Sequence, residues 1–281
     1  MAGRLVPANG VELWVEVDGD LTSPSVILLG GADASVLRWP RTFIGPLVDA
    51  GRSVVRVEHR DSGLSTKIPP EQPYRLEDLA RDVVGVLDAL GIDQADVVGY
   101  SLGGAVAQLL ALDHAERVRS LVLIATTPGM GDDRLPFAAD WFVERMAERL
   151  LAPPPRAFDE RVAWTVDLYR LLAGDRYEFD DEGQHALARA EVERAWHPES
   201  GHGVAANASP SRLDRLGEIR APTLVVHGTR DPVYALAHGE ALAAGINGAV
   251  LEVVEGLGHE VPAAFGAELA ELVLQHLARS A

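Results

Sequence analysis

The stretch that decides the fold is Val97-Val98-Gly99-Tyr100-Ser101-Leu102-Gly103-Gly104. A short β-branched run leads into a Gly-x-Ser-x-Gly pattern, and small and apolar residues follow at 105–111. This order predicts a strand, a sharp turn and a helix, with the hydroxyl of Ser101 exposed at the turn. The same pattern also occurs by chance at ordinary strand-to-helix connections, so the rest of the chain must supply what a serine nucleophile needs.

Apolar runs on both sides of this stretch predict a sheet. Continuous apolar runs are typical of strands that are buried on both faces, as in a parallel sheet. Residues 25–29 form such a run, and shorter or interrupted apolar stretches at 54–57, 121–125, 223–228 and 249–254 predict further strands. An opening antiparallel hairpin is expected over 3–17 with Asn9-Gly10 as its turn, and helical spacing recurs over 76–90, 235–244 and 269–277. We therefore expect an α/β protein with a mostly parallel central sheet and helices on both faces.

The alternation of strand and helix stops over residues 128–207, where only helical patterns occur. Two such patterns flank the run Pro153-Pro154-Pro155. We predict a core domain made of residues 1–127 and 208–281, with 128–207 inserted as a helical cap, or lid.

Composition excludes several classes of function. The formal net charge of -17 would repel phosphate backbones and anionic lipids, so neither nucleic acid nor membrane is expected as a partner. With no cysteine, disulfides, thiolate metal sites and a cysteine nucleophile are absent from the sequence. No apolar run is long enough to cross a bilayer, and we expect a cytoplasmic monomer or homodimer without a metal or cofactor.

A serine nucleophile needs a base and an acid that orients the base. Asp231 follows the predicted strand that ends near His227, and His259 follows the last predicted strand. Both positions are strand ends, where open parallel sheets bind ligands, and we predict a Ser101, Asp231, His259 triad. Taken alone, each residue has another interpretation. Asp231 before Pro232 is typical of an ordinary turn, and His259 in a glycine-rich stretch is typical of a surface loop. His59, His202 and His227 are the rival bases; His59 and His227 fit structural roles better.

The oxyanion of the tetrahedral intermediate needs two donors. We expect the backbone N–H groups of Leu102 and Gly31, which follow the nucleophile and the 25–29 strand. Seven further residues are candidates for the substrate pocket, although helical packing would also explain the aromatic ones. They are Asp33, Trp39, Tyr100, Trp141, Phe142, Trp164 and His202. If they face the site, the substrate is a small hydrophobic molecule.

These motifs resemble those of the α/β-hydrolase superfamily, and most closely the aclacinomycin methylesterase group of bacterial esterases. The resemblance spans nearly the whole chain and includes Gly30-Gly31, His59-Arg60-Asp61-Ser62-Gly63, Asp231-Pro232 and Gly258-His259. Two departures are Leu29-Gly30, where many relatives have His-Gly, and Glu260 after the histidine. The resemblance implies the α/β-hydrolase fold and a cofactor-free serine esterase, with methyl esters of bulky, polyketide-like acids as one substrate class.

The same triad also supports other chemistry. The alternatives are a cofactor-free perhydrolase or haloperoxidase, a lactonase, and a C–C hydrolase or lyase. A further alternative is a receptor that binds a ligand without turnover.

Overall fold

The computed structural model describes residues 3–280, and its strands and helices alternate from β3 to β6 and again from β7 onward. The strands are β1 (Arg4–Ala8), β2 (Val11–Asp18), β3 (Ser25–Leu29), β4 (Ser53–Val57), β5 (Ala95–Tyr100), β6 (Val118–Ile124), β7 (Thr223–Gly228) and β8 (Val250–Val254). The α-helices are α1 (Arg41–Asp49), α2 (Leu76–Leu90), α3 (Leu102–Asp113), α4 (Asp140–Leu151), α5 (Phe158–Leu172), α6 (Asp181–Arg194), α7 (His202–Ala208), α8 (Leu236–Gly245) and α9 (Gly266–Arg279).

The eight strands form one sheet in the order β1-β2-β4-β3-β5-β6-β7-β8. Strands β1 and β2 form the predicted hairpin, whose turn residues Asn9 and Gly10 have φ values of 47° and 81°. Strand β2 is also antiparallel to β4, whereas every pairing from β4 through β8 is parallel. The mostly parallel sheet predicted from the apolar runs is thus confirmed.

Helices cover both faces of the sheet because successive residues of a strand point to opposite sides. In β5, Val97 packs into a cluster with residues of α2 and α3, while Val98 packs into a second cluster with residues of α1 and α9. Both valines are fully buried. The unbroken apolar runs in the sequence follow directly from this two-sided burial.

Helices α4 to α7 lie in the segment 128–207, and no strand occurs there among the described residues. Helices α5 and α6 share a small apolar cluster of their own, centred on the fully buried Tyr169. By contrast, Ala205 and Ala206 of α7 belong to the main core cluster on the α2 and α3 face. The boundaries of a cap domain stay a prediction.

Polar contacts tie α6 to the sheet. The hydroxyl of Ser35 donates to Glu191 Oε1 at 2.8 Å, and Arg194 Nε donates to Glu58 Oε1 at 2.7 Å. Glu58 is fully buried at the end of β4, so α6 is attached at a fixed position above the carboxyl ends of the strands. Within residues 3–280, the helices are all too short or too polar to traverse a bilayer.

Candidate active site

Ser101 stands between β5 and α3 in a strained backbone conformation, with φ 53° and ψ -118°. Its N–H donates to the carbonyl of Ile124 at 3.0 Å, which fixes the turn to the neighbouring strand β6. A Cβ at Gly103 would collide with the carbonyl of Leu29, and one at Gly99 would collide with Gly103. The glycines on either side of Ser101 are therefore required for the close approach of strand and helix.

The loops after β7 and β8 bring the other two predicted residues to Ser101. His259 Nε2 lies 2.9 Å from Ser101 Oγ, and His259 Nδ1 lies 2.8 Å from Asp231 Oδ2. With Nδ1–H donating to the carboxylate, Nε2 is the acceptor for the serine hydroxyl. This is the arrangement in which a histidine removes the proton of a serine.

Asp231 is held by its own turn. Its Oδ1 accepts the backbone N–H groups of Val233 and Tyr234, both at 2.8 Å. The side chain is fully buried. Burial alone would raise the pKa of Asp231, but the charge and hydrogen bond of His259 outweigh it and lower that pKa. The turn that was the alternative explanation for Asp231 thus also holds its carboxylate against His259.

His259 is also fixed through its backbone. Its N–H donates to the carbonyl of Leu172 at 2.7 Å, at the end of α5, and its carbonyl accepts the hydroxyl of Tyr100. The rings of Tyr100 and His259 lie with centroids 5.5 Å apart. Helix α5 and strand β5 therefore hold His259 from two sides.

The rival histidines take other positions. His227 Nε2 lies 2.7 Å from the carbonyl of Tyr234, and burial lowers the pKa of His227, so its neutral ring donates to that carbonyl. His59 is buried against His202, with ring centroids 6.2 Å apart, and burial lowers the pKa of His59 to about 3. Neither ring contacts Ser101 through a hydrogen bond in the described part of the chain.

A cavity of about 80 Å³ opens beside Ser101. Most of its lining is apolar, and it includes Leu102 and Ala105 of α3 and Ala206 of α7. The polar residues that face it are Thr127, His202, Arg212 and Tyr234. His202 is thus the one candidate pocket residue that lines the Ser101 cavity.

The other candidate pocket residues lie elsewhere. Asp33 and Trp164 line a larger cavity of about 520 Å³ beneath α5 and α6, and Trp39 and Tyr100 border a void of about 30 Å³. Phe142 is buried and Trp141 is half exposed, its ring edge-on to Phe142. Neither Trp141 nor Phe142 is among the residues that line the Ser101 cavity.

Two donors remain for an oxyanion besides Leu102. Gly31 packs so closely on the site that a Cβ there would lie 2.9 Å from Tyr100 Cε1 and 3.3 Å from Ser101 Cβ. Ala32, the next residue, lines the Ser101 cavity, whereas Gly31 does not. In residues 3–280 the backbone N–H groups of Gly31, Ala32 and Leu102 donate to no protein acceptor.

Ala32, Arg212 and Tyr234 are among the cavity residues that sequence reasoning missed. Ala32 directly follows the glycine pair Gly30-Gly31, so the sequence could have indicated it. Tyr234 lies three residues after Asp231. Arg212 lies in an irregular segment after Ser209-Pro210, and no periodicity or motif marks it.

Comparison with known proteins places the chain in a family. The model of the alpha/beta hydrolase fold family matches residues 24–262. Rhodomycin D methylesterase DauP of Streptomyces sp. (strain C5) is 31% identical and is covered over 98% of both chains. The 2-hydroxy-6-oxo-6-phenylhexa-2,4-dienoate hydrolase of Comamonas testosteroni is 31% identical over 84% of this chain and 81% of its own.

Among solved structures, a hydrolase from Pseudomonas aeruginosa PA01 superposes with a TM-score of 0.76 at 30% identity, covering 98% of each chain. The likeness to methylesterases and the α/β-hydrolase fold, both predicted from the motifs, are thereby confirmed. The relatives also support hydrolase activity. The chain belongs to the α/β hydrolase fold family.

Proposed function

We propose that this protein is a serine esterase that cleaves carboxylic esters through an acyl-enzyme intermediate. The observation that carries the proposal is the continuous contact from Ser101 Oγ to His259 Nε2 at 2.9 Å and from His259 Nδ1 to Asp231 Oδ2 at 2.8 Å. A buried carboxylate on one ring nitrogen makes the other nitrogen a base for the hydroxyl.

In the first half of the reaction, Ser101 Oγ attacks the ester carbonyl and its proton passes to His259 Nε2. The negative oxygen that forms is stabilised by the N–H of Leu102 and by a second N–H from Gly31 or Ala32. His259 then protonates the leaving alcohol, and the acyl group stays on Ser101. In the second half, His259 activates a water molecule that releases the acid. Neither step requires a metal or cofactor.

The substrate has room for one short group and one bulky group. The cavity of about 80 Å³ at Ser101 has room for a short substrate group, and the cavity of about 520 Å³ under α5 and α6 has room for a bulky one. Ala32 lines the first cavity and Asp33 the second, so two adjacent residues border the two cavities. Methyl esters of bulky hydrophobic acids are the substrates to test first, because two of the relatives are rhodomycin D methylesterases. In this proposal, residues 128–207 act as the cap.

The nucleophile distinguishes this proposal from one rival chemistry. Epoxide hydrolases of this fold ordinarily place a carboxylate at the elbow, and two epoxide hydrolases of Mycobacterium tuberculosis are among the relatives. A serine stands there in this chain, which favours an acyl-enzyme over an alkyl-enzyme. A cytoplasmic location and a monomeric or homodimeric state stay predictions.

The experiment is hydrolysis of p-nitrophenyl acetate and of a panel of methyl esters and lactones. We expect the wild-type protein to hydrolyse these esters. The Ser101→Ala variant should lose about 10⁶ in kcat, and the Asp231→Asn variant should lose about 10⁴ in kcat. Ser62→Ala is the matched control, because Ser62 is buried and its hydroxyl has no hydrogen-bond partner in residues 3–280. A fluorophosphonate, which reacts with a nucleophilic serine, should label the wild-type protein and the Ser62→Ala control but not the Ser101→Ala variant.

Two results would overturn the proposal. One is a Ser101→Ala variant that keeps more than a tenth of the activity. The other is a protein that binds esters without repeated turnover, which would indicate a receptor.

A further inference from the structure

A buried arginine lines the cavity in which Ser101 lies. Arg212 is only 3% exposed, and it faces the same cavity of about 80 Å³ as Ser101 and Ala32. The loop that carries it is anchored by a bond from the Arg212 N–H to the carbonyl of Pro128 at 2.7 Å. The guanidinium is thus held at a fixed place in the wall.

The partners of this guanidinium are neutral. Nε donates to Gln108 Oε1 at 3.1 Å and Nη2 donates to the carbonyl of Thr127 at 3.2 Å. The third nitrogen, Nη1, donates to no protein atom in residues 3–280. Nor does Arg212 form an ion pair with any carboxylate of that part of the chain; the ionisable groups that oppose the effect of burial on its pKa are Tyr234 and then Glu77, and neither forms an ion pair with it.

Such an arrangement is costly unless something else supplies a negative charge. Burial lowers the pKa of Arg212 to about 10, so the group is still a cation at neutral pH. A buried cation without a counter-ion is unfavourable, and arginine pairs best with a carboxylate. Because the other two nitrogens are already bonded to the protein, Nη1 is the one left to meet a ligand.

We propose that Arg212 binds a carboxylate on the acyl part of the substrate, within a few bonds of the ester carbonyl that Ser101 attacks. The short distance follows from the size of the cavity, which both residues line. Monoesters of short dicarboxylic acids have this chemistry. The inference rests on the proposed esterase function, and it concerns esters whose acyl part is short enough to enter the Ser101 cavity, a different class from the methyl esters of bulky acids.

If the protein prefers anionic esters, its overall charge cannot be the cause. At a net charge of -17, the general electrostatic field disfavours anionic substrates. A preference for an anionic ester would therefore have to come from a cation inside the site.

The test compares three methyl esters of nearly equal size. Monomethyl succinate carries a carboxylate, methyl 4-oxopentanoate replaces it with a neutral ketone, and methyl pentanoate has neither. Released methanol is measured at pH 7.5 for each. We expect kcat/KM for monomethyl succinate to exceed that for methyl pentanoate at least tenfold, mainly through a lower KM, with the ketone in between.

Variants assign the preference to Arg212. Arg212→Gln should remove the preference, so that its kcat/KM for monomethyl succinate falls to the value that the same variant has for methyl pentanoate. Arg212→Lys keeps the cation but loses the planar fork, and should raise KM for monomethyl succinate at least threefold. The control is Arg215→Gln, which removes an equal charge from an exposed ion pair with Asp113 and Glu218.

The outcomes separate the two proposals. Turnover of none of the three esters counts against the esterase function itself. Turnover of methyl pentanoate without a preference for monomethyl succinate overturns the role of Arg212, and so does a preference that survives in Arg212→Gln. If Arg212→Gln fails to fold, the wild-type comparison and Arg212→Lys still decide the question.

Discussion

The backbone N–H of His259 donates to the carbonyl of Leu172 at 2.7 Å, which joins the loop of the proposed base to the last residue of α5. This contact is close because position 258 is a glycine. A Cβ at Gly258 would collide with the carbonyl of Leu172 and with the backbone of Gly174. The position of His259 therefore depends on α5, a helix within residues 128–207.

Gly258→Ala is expected to displace His259 from Ser101. A shift of about 1 Å in a reacting group can cost about 10² in rate, so kcat should fall by that order while the ester KM changes little. The measurement is steady-state ester hydrolysis with circular dichroism as a check of folding. Gly45→Ala is the control, because a Cβ at Gly45 in α1 meets no atom within 4 Å. An active Gly258→Ala enzyme would mean that the loop relaxes without moving the imidazole.

Ala32→Pro tests which N–H completes the oxyanion site. Ala34 N–H donates to the carbonyl of Gly31 at 3.3 Å and Asp33 has φ 60°, which defines a type II turn with Ala32 at its second position. Proline is favoured there, so the substitution removes the N–H with little strain. We expect kcat to fall by about 10²–10³.

Ala32→Gly keeps the N–H and should retain most of the activity, which separates the donor from the methyl group. If Ala32→Pro instead keeps a third or more of the kcat, the second donor is Gly31, as the glycine pair in the sequence first indicated.

The central sheet and the meeting of Ser101, Asp231 and His259 could be predicted because each leaves a local trace in the sequence. Two-sided burial of β3, β5, β6 and β7 requires continuous apolar runs, and the elbow requires glycines around Ser101. Parallel strands then bring their carboxyl ends to one edge, so residues that are 130 and 28 positions apart meet once the strands are known.

The lining of the site was not predictable in the same way. A helical spacing of apolar residues indicates that a side chain is buried, but it does not indicate whether the side chain packs in the core or lines a cavity. Trp141 and Trp164 are both tryptophans of predicted cap helices, yet Trp141 is half exposed and Trp164 lines the large cavity. Arg212 lies in a segment without periodicity, and only the folded chain brings it to Ser101.

His202→Ala is expected to destabilise the protein. His202 is 1% exposed, and its Nε2 lies 2.8 Å from the carbonyl of Arg60. Its Nδ1 lies 3.0 Å from the N–H of Asp33 and 2.9 Å from Asp33 Oδ1, so it can accept from the backbone when neutral or donate to the carboxylate when charged. The ring is therefore hydrogen-bonded in either protonation state.

The alanine variant would leave the carbonyl of Arg60 without a donor and open a cavity at the end of α7. We expect a loss of about 2–4 kcal/mol in the free energy of unfolding, measured by urea denaturation. The exposed His185 of α6 provides the control, and His185→Ala should change stability by less than about 0.5 kcal/mol. An equally small change for His202→Ala would show that these contacts contribute nothing to stability.

Glu260, directly after His259, should make stability depend on pH. Burial raises the pKa of Glu260 to about 7, despite the opposing charges of Arg38 and His259. Because the folded pKa is above the unfolded value of 4.5, the folded protein holds this proton more tightly. The stability so gained is complete below pH 4.5 and is lost as the pH rises through 7.

Glutamine cannot ionise, so Glu260→Gln should avoid that loss. Between pH 5.5 and 8.5 we expect its advantage in the free energy of unfolding to grow by about 1–2 kcal/mol, allowing for partial exposure of the side chain. Urea denaturation at the two pH values measures it. Glu271→Gln removes the same charge from the exposed face of α9, and its effect should be constant within about 0.5 kcal/mol. A constant advantage for Glu260→Gln as well would place the pKa of Glu260 near its ordinary value, because only a group that titrates inside this window can change the difference.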